Sequence, residues 1–345
     1  MTEQFTFAER VQRVSPSATL AISNKASKLE AEGVDVVDLS AGEPNFDTPG
    51  NIKDAAEEAL EAGETGYTPS PGIPRLREAI AEKLHADGLD QYGPENVMVT
   101  PGGKQALFEV FQTLVEDGDE VVLLDPAWVL LVINSPGNPH GAVYSDAALD
   151  GVRDLAVEHD VTVISDEIYK EITYDDVEMT SLGTLDGMGD RSVTVNGFSK
   201  AYAMTGWRLG YFAGPESLLD QAGKVHGHSV SCATNFVQHA GVEALENTDE
   251  AVAEMAAAFE ERRDMLVDAF HDRGVDVVEP KGAFYMMLPV ADDDQAWCEE
   301  AISDAHVATV PGSAFGTPGY ARISYANSTE RLREAVDRLE KHALL

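Results

Sequence analysis

Cysteine is nearly absent. Cys232 and Cys298 are the only two in 345 residues, too few for a disulfide framework. His226 and His228 lie two apart with no third ligand type beside them, so no metal site is expected. Long apolar runs are missing too, which argues against a membrane-spanning helix. The opening Met1-Thr-Glu-Gln-Phe5 lacks a basic-then-apolar export signal, and the expected location is the cytoplasm. Positive charge is scarce: 24 Lys and Arg stand against 61 Asp and Glu, a formal net charge of −37. Such a surface repels nucleic acid and anionic lipid, so neither is an expected partner. The acidic residues are spread over the helical segments rather than gathered in a tail. That pattern fits a heavily hydrated surface suited to a high-salt cytoplasm.

What is present is an ordinary globular apolar fraction, 43%, and enough chain for a major and a minor domain. Short buried-type strands are read at 34–39, 97–100, 121–125, 129–134, 161–165, 192–196 and 209–213, with helical patterns between many of them. A helix is expected to start with Pro74 at its first position and to bury Leu76, Ile80 and Leu84. Further strands around 281–288 and 320–325 and a closing helix at 328–341 read as a small α+β unit.

Chemistry-bearing residues sit at the strand ends. After Val97-Met-Val-Thr100 comes Pro101-Gly-Gly-Lys-Gln105 and a helix; such a turn offers free amides and a positive helix end to an anion, although many α/β turns of this kind bind nothing. Asn134-Ser-Pro-Gly-Asn-Pro-His-Gly141 is a rigid turn at the carboxyl end of a strand, where open α/β sheets bind ligands. Asp166 ends another buried strand, where a carboxylate is costly unless paired; it could equally cap the next helix. Within Asn196-Gly-Phe-Ser-Lys-Ala-Tyr-Ala-Met-Thr-Gly-Trp-Arg-Leu-Gly-Tyr211, Lys200 precedes Arg208 by eight positions. An amine can form a Schiff base with a carbonyl compound, and a fixed guanidinium can grip a phosphate. Taken residue by residue, Lys200 could be a solvated charge, Tyr67 a loop aromatic packed on the core, Trp128 a core residue and Arg322 an edge-strand charge facing water.

Their joint order is more specific. Ser199-Lys200 through Gly206-Trp-Arg208-Leu-Gly210 resembles the cofactor-lysine signature of class I/II pyridoxal-phosphate-dependent aminotransferases of fold type I, and the chain as a whole resembles the aspartate branch. The resemblance implies an α/β fold: a large domain with a mostly parallel, doubly wound, seven-stranded-type sheet, plus a smaller α+β domain from the terminal segments. The boundaries expected are 48–280 for the large cofactor-binding domain, and 1–47 with 281–345 for the small substrate-closing domain. It implies pyridoxal 5′-phosphate as cofactor, bonded to Lys200, with Asp166 at the ring nitrogen and Tyr169 and Asn138 at the ring oxygen. Trp128 would stack on the ring. Gly102, Gly103, Lys104 and Arg208 would lie at the phosphate, with Tyr67 arriving from a second subunit, so that a homodimer shares its active sites. Substrate would be held by Arg322 on the α-carboxylate, together with Gly42, Asn138 and Trp128. Lys104 and Thr19 would face the distal carboxylate of an acidic amino acid. Lys200 is then the catalytic proton carrier between an amino acid, aspartate first, and a 2-oxo acid such as 2-oxoglutarate, in ping-pong turnover. An aromatic or alanine-type aminotransferase, a lyase on the same fold, and a non-catalytic regulatory relative are the rival readings.

Two departures from the family stand out. Gly197 occupies a position where many relatives bind phosphate through serine. Trp128 also runs directly into Val129-Leu-Leu-Val-Ile-Asn134, where relatives have several dozen more residues, and two parallel strands need a longer crossover than this join offers. Either the sequence leaves that segment out or the chain has truly lost it; the intact flanking motifs favour the first.

Overall fold

A computed structural model describes residues 5–122 and 130–345. The chain opens with α1 (Glu9–Gln12), α2 (Ala18–Ala31) and β1 (Val37–Asp38). It continues through α3 (Gly50–Glu61), α4 (Pro74–Ala86), β2 (Val97–Thr100), α5 (Gly103–Leu114), β3 (Val121–Val122) and β4 (Leu130–Asn134). Next come α6 (Asp146–His159), β5 (Thr162–Asp166), β6 (Ser192–Gly197) and β7 (Gly210–Ala213). Three helices follow, α7 (Glu216–Ser229), α8 (Asn235–Asn247) and α9 (Asp249–His271). The last part holds β8 (Tyr285–Pro289), α10 (Asp294–Ser303), β9 (Val307–Ala308), β10 (Val310–Pro311), β11 (Tyr320–Ser324) and α11 (Thr329–Lys341).

The described residues form two compact units, one of 43–261 with 280–284, the other of 1–42, 262–279 and 285–345. In the larger unit six strands lie in the order β2-β7-β6-β5-β4-β3. Strands β3 to β6 run parallel to one another, and β7 is antiparallel to both its neighbours. Four-residue β2 and β7 are buried throughout, as expected for strands covered on both faces. Helix faces supply the cover. Pro74 opens α4, whose missing N–H costs nothing in a first turn, and Leu76, Ile80 and Leu84 pack inward with Val99, Phe198 and Tyr211. On another side Ala106 and Val110 of α5 meet Ile164, Val193 and Phe212.

This topology gathers the carboxyl ends of β2, β4, β5 and β6 at one edge of the sheet, with the start of β7 among them. Register fixes the neighbours there: Asn134 opposite Asp166, Gly197 opposite Gly210, and Gly210 opposite Thr100. Strands β3 and β4 are parallel neighbours separated in sequence only by 123–129, which lie outside the described residues.

The smaller unit holds an antiparallel sheet, β10-β11-β8, and a parallel pair, β1 with β9. The strand read at 34–39 shortens to β1, and 320–324 becomes the central strand of its sheet rather than an edge. Ser328 caps α11 by accepting from the Arg331 amide, and Leu332, Val336 and Leu339 form its buried face.

Candidate active site

At the end of β5 the chain turns, and Asp166 helps make that turn by accepting from the Ile168 amide at 3.2 Å. Burial pushes its carboxyl up from an ordinary 3.8 to about 6; the Ile168 amide and the nearby Lys200 charge pull it down, while the Glu167 charge adds to the rise. The neighbouring Glu167 is buried and takes hydroxyl donors from Ser165 (2.9 Å) and Ser181 (2.7 Å). Lys170 binds Ser181 at 2.6 Å and Asp87 at 2.9 Å, and Lys83 closes the set on Asp87 and Glu171, each at 2.7 Å. A buried ionic network therefore stands behind the Asp166 turn and ties it to α4.

Lys200 follows β6 and is half-buried. Its Nζ lies 5.7 Å from the ring centroids of both Tyr169 and Phe284, which meet edge to face. Tyr169 is buried at 4% exposure. Lysine, tyrosine and aspartate thus share the space beyond β5 and β6.

Glycines shape the adjoining corner. Gly102, at φ +87°, precedes α5, and a Cβ there would collide with the Arg208 guanidinium. Arg208 is itself in a left-handed conformation, φ 54°, and donates to the Thr205 carbonyl at 2.7 Å. A Cβ on Gly210 would come within 2.5 Å of the Gly103 nitrogen, so β7 and the α5 turn approach as only glycine permits. Arginine and the first amides of α5 therefore converge, which is the chemistry of a phosphate seat. Gly197 has a reason of its own: a side chain there would lie 2.9 Å from the Gly210 Cα and 3.1 Å from the Leu209 carbonyl oxygen. Serine does not fit this backbone.

Asn138 is exposed in the turn after β4, its amide held by the Asn134 Oδ1 at 2.8 Å. Lys104 is exposed in the first turn of α5 and has no ion-pair partner among the described residues. Tyr67 is 91% exposed, so it does not pack on the core of its own chain. It borders a cavity of ≈ 530 Å³ with Cys232, Asn235 and Phe236. Trp128 lies outside the described residues.

In the smaller unit Arg322 is 2% exposed, which removes the reading of a charge facing water. Its Nη2 donates to the Ser40 carbonyl at 2.6 Å, and its guanidinium lies 4.6 Å from the Tyr285 ring centroid and 5.2 Å from that of Phe315. A Cβ on Gly42 would sit 3.1 Å from the Tyr285 hydroxyl, so arginine, tyrosine and the Gly42 turn form one group. Thr19 is half-buried in the first turn of α2, two residues past the Ser17 cap. The two cysteines are free; burial raises the Cys298 thiol to about 11. No group of metal ligands is found among the described residues, and His226 is spent on the buried Glu109 at 3.0 Å.

Sequence reasoning missed Glu167 and Asn134. Glu167 had a signal, a second carboxylate beside Asp166 in a buried strand end; Asn134 had one only as the first asparagine of a motif read for its second.

A mostly parallel sheet with a lysine, a half-buried aspartate and an arginine–glycine corner at its carboxyl edge has the arrangement of an α/β enzyme site. The family model for class I and II aminotransferases matches residues 34–130 and 127–339. A probable aspartate/prephenate aminotransferase of Aquifex aeolicus is 41% identical over 384 residues, covering 97% of this chain and 98% of that one. The aspartate/prephenate aminotransferase of Thermus thermophilus is 40% identical, with 97% and 98% covered. The solved aspartate aminotransferase of Thermus thermophilus with maleate superposes with a TM-score of 0.94 at 38% identity, over 98% of this chain and 100% of that one. The chain belongs to the class I and II aminotransferase family. It is a transaminase of fold type I, and its cofactor is pyridoxal 5′-phosphate. The residues present fit that group, because the anion seat is one a Cβ at Gly102 would fill and Asp166 is a half-buried carboxylate at a strand end, suited to a cationic ring nitrogen. The two matched pieces meet at 127–130, and the Aquifex alignment spans more positions than the chain has residues. Relatives carry extra chain where the sequence shows its short join.

Proposed function

We propose that this transaminase takes the amino group of a dicarboxylic L-amino acid, aspartate first, and passes it to 2-oxoglutarate in two half-reactions of ping-pong type. The observation that carries the reading is the Lys200 amine near the half-buried Asp166 carboxylate, close enough to favour the carboxylate's charged form. Bound pyridoxal phosphate supplies an aldehyde that condenses with amines and a protonated ring that accepts the electron pair left when the α-C–H bond breaks. Arg208 and the Gly102 and Gly103 amides hold the phosphate, joined by Tyr67 from a second copy in a homodimer. With the cofactor bound, Asp166 would keep the proton on the ring nitrogen and Tyr169 and Asn138 would donate toward the ring oxygen, with Trp128 the residue that the family resemblance assigns to stack on the ring. Lys200 Nζ carries the proton off the substrate α-carbon as general base, a duty worth about 10²–10⁴ in rate. Arg322 takes the α-carboxylate in a two-point grip with the Gly42 amide alongside.

Lys104 and Thr19 face the distal carboxylate. In support, an exposed lysine without an acidic partner among the described residues is available to a substrate anion, and several relatives are named for aspartate or prephenate. The larger unit serves the cofactor and the smaller one the substrate, in a cytoplasm rich in salt.

Adding aspartate to the reconstituted protein is expected to bleach its visible band, and 2-oxoglutarate to restore it, with parallel initial-velocity lines. Absence of a band in the parent, or no loss of it in Lys200→Ala, would end the assignment. Lys104→Ala is expected to lower kcat/KM for aspartate by about tenfold while leaving alanine within about twofold. Equal losses for both would remove the dicarboxylate preference.

A further inference from the structure

Asn134 is the last residue of β4 and lies in register with Asp166 at the end of β5. Its Nδ2 donates to the Asp166 carbonyl at 3.0 Å, and its Oδ1 accepts from the Asn138 amide at 2.8 Å. A carbonyl can only accept and a backbone N–H can only donate, so the two contacts fix the orientation of the side-chain amide. Among side chains of this length only asparagine satisfies both. Aspartate lacks the donor, leucine lacks both groups, and glutamine is one methylene too long. The Ser135 amide adds a second donor to the same carbonyl at 3.2 Å. The rest of the turn is closed by Gly141 on Gly137 (2.7 Å), Gly137 on Ala142 (2.9 Å) and the Ala142 amide on the His140 Nδ1 (3.0 Å). Asn134 is therefore the side chain that joins this closed turn to β5.

We propose that Asn134 is a positioning residue for the cofactor: one amide fixes the Asn138 turn against the strand end that carries Asp166. This rests on the cofactor roles given above to Asn138 and Asp166. A shift of either end changes where the ring oxygen and ring nitrogen find their partners, although Asn134 itself touches neither. Its loss is felt as cofactor affinity and as the proton affinity of the bound chromophore, not only as stability.

The test is a double-mutant cycle on the holoenzyme with Asn134→Ala, Asn138→Ala and the pair, reading cofactor Kd, the pH midpoint of the visible band, and Tm. Asn134→Ala is expected to raise the Kd for pyridoxal phosphate about tenfold, the worth of one well-placed hydrogen bond. It is expected to move the pH midpoint by about half a unit or more. In the Asn138→Ala background the same change should have much less effect, because the pair acts as a unit. A lowered Tm with parental Kd and midpoint, or strictly additive effects, would overturn the proposal. Should Asn134→Ala fail to fold, Asn134→Asp keeps the volume and the acceptor for Asn138 and carries the same readouts. A parent without a visible band would instead defeat the functional reading itself, so the two failures are told apart.

Discussion

Asp166 shows how one side chain can serve a turn and a site together. Its carboxyl accepts from Ile168 like an ordinary turn aspartate, although no helix starts there for it to cap. Burial nevertheless raises its pKa from 3.8 to about 6, and that has a sign for stability. With the folded value above the unfolded one, the folded protein holds the extra proton between these limits. The contribution to stability is full below pH 4 and is lost as pH rises toward 6. Asp166→Asn removes it. Without cofactor, the stability of the parent relative to this variant should fall by up to about 3 kcal/mol across that window, at 1.36 kcal/mol per unit. Urea unfolding of both at several pH values checks this, and a flat difference would contradict the raised pKa. At this scale residue type and position were legible for Lys200, Arg208 and Arg322, since each is an awkward charge beside a strand. Asn134 and the Glu167 network were not, because their meaning lies in partners far along the chain, such as Ser181 and Asp87.

Among elements, the strand–turn–helix patterns were readable because β2, β4, β5, β6 and β7 are short apolar runs broken by glycine, proline or a charge. What the pattern could not show was direction. Among the described strands of the six-stranded sheet β7 alone runs against the others, and this reversal brings Gly210 against Gly102 and Gly103. Gly210→Ala would place a methyl 2.5 Å from the Gly103 nitrogen. Such overpacking typically costs about 1–3 kcal/mol. The expected result is a lower Tm together with weaker binding of pyridoxal phosphate, measured by fluorescence titration of the apoprotein, because the displaced amides are those proposed to hold the phosphate. Unchanged cofactor affinity would separate the glycine contact from that seat. Pattern picked out Arg322 as an awkward charge in a strand but did not show that the strand is central and its side chain buried.

For the whole molecule the governing number is the charge of −37. Most carboxylates sit on the surface with few cations to meet them, and the ion pairs that exist, such as Arg331 and Arg338 with Asp35, neutralise a minority. The screening length falls from about 10 Å at 0.1 M salt to about 3 Å at 1 M, which removes most repulsion between surface charges. Thermal unfolding in potassium chloride should therefore show Tm rising steeply from 0.1 M to 1 M and more gently beyond. A Tm indifferent to salt would remove the high-salt reading. Composition shows the charge at once, whereas the return of 262–279 to the unit built from both chain termini has no break in pattern to mark it.

The Gly102–Gly210 approach also sets a timetable for biosynthesis. One wall of the phosphate pocket is translated more than a hundred residues before the other, and β7 must slot between β2 and β6 to unite them. A nascent chain still short of that strand has the lysine but nowhere to anchor the vitamin's tail. On the phosphate roles proposed above, capture of the coenzyme waits until the sheet has closed around its one reversed member.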